Sequence, residues 1–365
     1  MRKSSLGAAF AVAATLTSTA LTSPASADDR TIAKDHAPIG VMGDHLHKKG
    51  EVMFSYRFMR MRMEGSRIGT DPVSPETIAT TVPNRFFGSP MQPPTLRVVP
   101  LEMNMDMHMV GMMYAPTDWV TLMVMGMLVD KGMDHVTFQG PMGTTELGNF
   151  RTESSGFGDT SVSALVRLLD LETGGVKHKA HFNAGFSIPT GSVIETDDVL
   201  TPLNTRPTLR LPYPMQLGSG TVDLRPGVTY SGATAAFSWG AQYIGTFRTG
   251  TNDEDYTFGD RHDATAWAAY GPAPWWSLSA RAAFTAQGSV DGIDQQIVAP
   301  VQTANPDFQG GDRFDLGVGL NFAGQSGVIE GHRVAVEVMF PVAQDLNGPQ
   351  LETDWTLTVG WQKTF

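Results

Sequence analysis

The sequence predicts an all-β protein: a transmembrane antiparallel up-and-down β-barrel of about 12 strands, with both termini on the periplasmic side. Three observations predict it. Apolar and polar residues alternate with a period of two in segment after segment. The connections between those segments alternate long and short, as in outer-membrane barrels. The last segment, 354–365, puts Trp355, Leu357, Val359, Trp361 and Phe365 on one face and Thr356, Thr358, Gly360 and Gln362 on the other. It stops on an aromatic, Phe365, as terminal strands read by the barrel-assembly machinery do.

Composition fixes the compartment. Arg2-Lys3, an apolar run from Leu6 to about Leu21, and Ala25-Ser26-Ala27 read as a signal peptide over 1–27. No later stretch approaches the ~20 consecutive apolar residues of a spanning helix, so a membrane location requires a barrel. The chain has no Cys and hence no disulfide. A net charge of −11 argues against nucleic acid as a partner. Residues 28–50 are polar and unperiodic, with His36, His45 and His47, and read as a periplasmic arm or lumen plug before a barrel over 51–365.

The strands follow in order. Val52, Phe54, Tyr56 and Phe58 form the apolar face of the first, opposite Met53, Arg57, Met59 and Met61. After a Pro-rich connection, Leu101 to Met109 alternates Met103, Met105, Met107 and Met109 with Glu102, Asn104, Asp106 and His108. Residues 119–129 return as the third strand. Strand four sets Val162, Ala164 and Val166 against Ser161, Ser163 and Arg167. Strand five sets Phe182, Ala184 and Phe186 against Lys179, His181 and Asn183. Strand six carries Asp223 and Arg225 opposite Leu224 and Val228. Strands seven to eleven follow near 237–248, 262–270, 276–285, 314–322 and 334–340, with Arg281 on the polar face of the ninth.

Lipid decides which face is which. An Arg or Lys on the lipid face costs up to ~2–4 kcal/mol near the midplane, and less toward the rims. Arg57, Glu102, Asn104, Asp106, His108, Arg167, Lys179, His181, Asp223, Arg225 and Arg281 are therefore expected to line the lumen, the charged ones among them having a place near a rim as the alternative. The same argument sends Met103, Met105, Met107 and Met109 outward, as adaptable apolar surface.

Methionine remains the compositional oddity, with 20 in the chain. Thioether sulfur is a soft ligand that suits Cu(I). Met123 and Met125, which share parity with Thr121, could join His108 and the arm's His45 and His47 in a soft-metal site. Copper is the one metal these residues suggest, and no resident cofactor is expected. No catalytic motif is recognisable, so an enzyme is not expected. A lipid-hydrolysing barrel is the competing class, but the outward-parity His178 and His332 fall at the inner rim, away from outer-leaflet lipid.

The stretch from His181 to Ser192, with Pro189-Thr190-Gly191-Ser192, and the stretch Leu217-Gly-Ser-Gly-Thr221 to Gly227 resemble the outer-membrane barrels called phenol meta-pathway degradation-like transporters. Gly156-Phe-Gly-Asp-Thr160 fits the same pattern. Met105 to Tyr114 and Met133 to Val136 are similar to a Met-rich branch of that family. The resemblance implies a transport role for a small-molecule or metal solute, in contact with outer-membrane lipid, and supplies no catalytic residues.

Overall fold

The computed structural model describes residues 32–365; the expected signal peptide lies outside them. The chain forms β1 (Val52–Gly69), β2 (Asp71–Val73), α1 (Pro75–Thr81), β3 (Val98–Thr117), β4 (Val120–Phe138), β5 (Glu146–Phe157), β6 (Thr160–Thr173) and β7 (Val176–Ile188). There follow β8 (Thr196–Asp198), β9 (Thr208–Arg210), β10 (Val222–Ala233), β11 (Phe237–Thr249), β12 (Tyr256–Thr257) and β13 (Arg261–Ala273). Last come β14 (Trp276–Gln287), β15 (Asp291–Gly292), β16 (Gly311–Ala323) and β17 (His332–Thr364).

Eleven of these strands close an antiparallel ring, in the order β1, β3, β4, β6, β7, β10, β11, β13, β14, β16, β17 and back to β1. The two other strands of the sheet lie outside the ring: β2 pairs with β1, and β5 pairs with β4 beyond its contact with β6. Closure leaves no open sheet edge, which is what a strand protein in lipid requires.

The expected strands eleven and twelve are one continuous run here. β17 is 33 residues long, pairs with β16 from Arg333 to Leu346, and pairs with β1 from Leu346 to Thr364. It doubles back on itself, since Thr364 N donates to Gly331 O at 3.1 Å. The reversal is tight enough that the extended conformation is never interrupted, so a connection expected to be long is strand instead.

The outward face forms an apolar belt. Phe54, Val110, Leu122, Phe182, Leu224, Leu278, Leu316 and Val334 are all exposed on it. One end of the ring carries short turns, such as those between β6 and β7 and between β13 and β14. The other carries the long loops. On the long-loop side β1, β3 and β4 run to 18, 20 and 19 residues, against 12 for β10 and β14. That side of the wall therefore stands taller than the ~9–11 tilted residues a bilayer needs.

Both ends are filled. At the long-loop end, α1 is started by Ser74, whose side chain accepts from Thr77 N, and by Pro75 in the first turn. Its Ile78, Ala79 and Val82 pack on Leu96, Val99, Val136 and Phe138. Arg97 is wholly buried and donates to Ala79 O and Gln139 O, both at 3.0 Å. The other loops meet in a second cluster around Tyr213, Tyr256, Val290, Ile297 and Val301. At the short-turn end the filler is residues 32–50.

Candidate functional site: a stoppered lumen with two walls

The arm enters beside the β13–β14 turn, where Ala33 N donates to Pro274 O at 2.8 Å, and crosses the lumen to β4, where His47 N donates to Thr121 Oγ1 at 2.9 Å. Between those points the wall holds its backbone. Arg333 donates to Ala37 O, Gln242 Nε2 to Met42 O (2.9 Å), and His181 Nε2 to Gly43 O (2.9 Å), while Gly40 N donates to Glu337 Oε2 (2.9 Å). An unperiodic segment can be buried here because the lumen wall supplies the partners its backbone lacks. Gly40 is required by space: a Cβ there would lie 2.3 Å from Glu337 Oε2 and 2.6 Å from Arg281 Nη2.

Apart from His181 on β7, those partners belong to a wall rich in charge built by β10 to β17. Arg281 makes a bidentate pair with Glu337, at 2.7 and 3.0 Å, and Glu337 is 1% exposed. Asp223, equally buried, is paired with Arg248 and accepts from Thr221 and Ser219. Arg225 lies among Asp223, Arg248, Arg261 and Asp263, and Arg313 pairs with Asp315 at 3.0 Å. Arg333 is fixed by Asn321, Gln362 (2.8 Å) and the arm. Arg167, Lys179 and His181 also face inward. They line a cavity at the short-turn end together with the arm's His36, Asp44, His45 and His47.

The opposite wall is methionine. Arg57 is 6% exposed and fixes the inward parity of β1, so Met53, Met59, Met61 and Met63 face the lumen with it. The register places Met113 opposite Met53, Met109 opposite Arg57, and Met107, Met105 and Met103 opposite Met59, Met61 and Met63. On β4, Met123, Met127 and Met133 oppose Met113, Met109 and Met103, with Met125 opposite Gly111. At the long-loop end this wall meets the connection between β9 and β10, where Met103 and Met133 pack with Leu211 and Met215. Lys131 is tied to Pro214 O (2.8 Å) and Gln216 O there. At the other end Met53, Met113 and Met123 pack with Leu165 and the arm's Leu46.

This corrects the expected faces of β3. Met103, Met105, Met107 and Met109 line the lumen, and Glu102, Asn104, Asp106 and His108 point outward. Glu102 pairs with Arg62 (3.2 Å) and Asp106 with Arg60 (3.5 Å), both partners being outward residues of β1. The charges are tolerated because they sit where the wall is taller than the bilayer, on the long-loop side of Phe58. His108 is exposed and bonds Tyr56 Oη at 2.7 Å. His178 with Tyr230, His262 with Tyr243 and His332 with Trp361 repeat that outward imidazole–aromatic pairing. His108 is thus parted from His45, His47, Met123 and Met125, and the expected five-residue metal set does not assemble.

A different cluster does. Donor atoms of His36, Asp44 and His45 lie within 4.8 Å of one another. Asp44 accepts from Ala37 N at 2.9 Å and bonds His45 Nδ1 at 2.9 Å. Burial alone would raise its carboxyl, yet His45, Arg333 and His36 hold it well below the usual carboxylate range. Burial pushes the His47 imidazole down, partly opposed by Glu51, 3.3 Å away. His36, Asp44, Glu337, Arg333 and Arg248 were not among the expected site residues. For Glu337 and Arg333 the signal was available, since they alternate with Val334, Val336 and Val338 in the sequence.

A closed antiparallel ring with an apolar belt is an outer-membrane barrel, and its location is the bacterial outer membrane. The fold is similar to that of an outer membrane channel from Pseudomonas putida F1, with 15% identity over 89% of this chain and 99% of that one and a TM-score of 0.57. More remote are the monoaromatic hydrocarbon channel TodX (9–10% identity, 87% and 91% covered, TM-score 0.42) and a Pseudomonas aeruginosa FadL homologue (7%, 86% and 90%, 0.39). No family model matches the sequence, and neither does any curated protein.

Proposed function

We propose that the chain is an outer-membrane channel of transporter type, in a closed state, that passes a small solute between its methionine wall and its charged wall. On this reading the barrel has twelve membrane-crossing staves, β17 supplying two. Both termini are periplasmic, and the chain is a Met-rich relative of the phenol meta-pathway degradation-like barrels. It carries its solute without chemistry, and the C-terminal strand ending at Phe365 engages the assembly machinery.

The observation that carries the reading is the stopper. Residues 32–50 are held in the lumen by reversible hydrogen bonds, among them those of Gly40 with Glu337, Met42 with Gln242 and Gly43 with His181, with no disulfide tie. A segment held that way can be released, which a purely structural core would not need. The test is single-channel recording in planar bilayers. Wild-type protein is expected to be nearly silent, and protein lacking residues 32–50 is expected to show discrete openings. Silence of both, with no solute uptake in liposomes, overturns the reading.

A further inference from the structure

Methionine in a core is ordinarily an adaptable apolar filler. Three features of this wall ask for more than filler. The first is sidedness. On β1, β3 and β4 the outward positions are filled by residues such as Phe54, Val110, Leu122 and Val124, and Met112 is the one methionine of these strands that points out. Sulfur is concentrated on the face that a solute would meet, while ordinary hydrocarbon meets lipid.

The second feature is pairing. Met59 opposes Met107 and Met61 opposes Met105 across adjacent strands, and Met109 opposes Met127. Directly opposed residues on one face have Cβ atoms about 4.5–5.5 Å apart. Two flexible thioethers can therefore converge on one ion from each such pair. Met59, Met61, Met105, Met107 and Met127 are only half-buried, so their sulfurs are not locked into a packed core.

The third is what the wall withholds. Its inward side chains include no carboxylate, since Glu102, Asp106 and Asp134 all face outward. A hard divalent cation finds no oxygen cage there, whereas a soft cation finds thioethers. The row ends at the arm: Met123 Cε is 3.8 Å from where a Cβ on Gly43 would sit. Beyond Gly43 lie the imidazoles of His36 and His45 and the carboxylate of Asp44, within 4.8 Å of one another. Imidazole is also a good copper ligand.

We infer that the lumen binds a soft late-transition cation, Cu(I) first, along the Met59–Met107 and Met61–Met105 pairs, with His36, Asp44 and His45 as a second site at the arm. The inference deepens the transport reading by naming its solute class, and binding can be measured without any transport. No redox step is invoked, because the ion is held in the state in which it arrives.

The test uses the full-length protein in detergent, with Cu(I) titrated against a chromophoric Cu(I) chelator under reducing conditions and Ag(I) as a redox-inert second probe. Wild-type protein is expected to hold more than one Cu(I) at submicromolar free ion. Leu keeps the apolar volume of Met and removes only sulfur. The variant combining Met59→Leu, Met61→Leu, Met105→Leu and Met107→Leu is therefore expected to weaken lumen binding at least tenfold while remaining folded by heat-modifiable gel mobility. His36→Ala with His45→Ala is expected to lose one equivalent and keep the rest. Absence of micromolar binding in wild type, or unchanged binding in the four-leucine variant, overturns the inference. Cu(I) binding without flux through the arm-deleted protein would support the inference and sink the transport reading. Flux of uncharged solutes without Cu(I) binding would do the reverse.

Discussion

The two walls of the lumen solve opposite problems. On the charged wall buried ions are matched in pairs: Arg281 has Glu337, Arg248 has Asp223, and Arg313 has Asp315. Such pairs lock side chains in place and leave few spare lone pairs for a passenger. The thioethers of the methionine wall have no directional partners, and each side chain turns about three bonds. One wall holds the arm still; the other is free to rearrange around whatever passes. Rigidity and adaptability are thus segregated by strand, β10 to β17 against β1 to β4.

The contrast breaks most readily at Glu337, which serves both Arg281 and the arm. Glu337→Ala removes one partner of a buried pair, and such losses cost about 3–5 kcal/mol. The expected outcome is a lower unfolding midpoint in detergent together with channel openings like those of the arm-deleted protein. Restored silence in a Glu337→Gln variant would assign the seating to the Gly40 hydrogen bond rather than to charge. Gly40→Ala probes the same contact sterically, and is expected to raise proteolytic cleavage within 32–50 while leaving the barrel's heat-modifiability intact.

Acid should loosen the arm by a smaller amount. The docked His47 imidazole lies below its ordinary value of 6.5, so the undocked state binds more protons as pH falls. Docking is therefore at full strength above about 6.5 and weakens as pH drops below it. Arm cleavage at pH 5.5 should exceed that at pH 7.5, and His47→Asn should remove most of the difference. On the adaptable wall, Met59→Leu with Met107→Leu should cost less than ~1.5 kcal/mol, as volume-conserving swaps do. The smallest effect is expected outside, where Arg60→Ala breaks an exposed pair with Asp106 worth ~0–1 kcal/mol. A large loss there would mean those charges do not sit clear of the apolar belt.

Much of this architecture was written in the alternation. Phe54, Phe182, Leu224 and Val334 point outward and Arg57, His181, Asp223 and Arg281 inward because a period of two leaves no other choice. The face of β3 departs from expectation because the midplane cost of a charge does not reach the part of a 20-residue strand that outruns the bilayer. Its parity was legible farther along. Val110, Met112 and Tyr114 suit the lipid face, and an unbroken strand then sends Glu102 to His108 outward with them. The arm was legible as a candidate plug but not as a site. His36, Asp44 and His45 have no periodicity, and only the hydrogen bonds of Ala37, Gly40 and Gly43 to Arg333, Glu337 and His181 bring the arm to order. Such contacts join residues that are far apart in the chain, so no local pattern announces them.

The seam between β1 and β17 has a kinetic consequence. It joins Met53 to Thr364, nearly the two ends of the described chain, whereas every other rung of the ring joins neighbours in sequence. The folded-back halves of β17 can form early as a local hairpin, but the seam must wait until all the intervening hairpins are in place. The arm runs directly into β1, so its entry into the lumen is coupled to that last event. Slow assembly would then be read out as late protection of residues 32–50, and a variant that weakens the seam would appear first as a folding delay rather than as a leak.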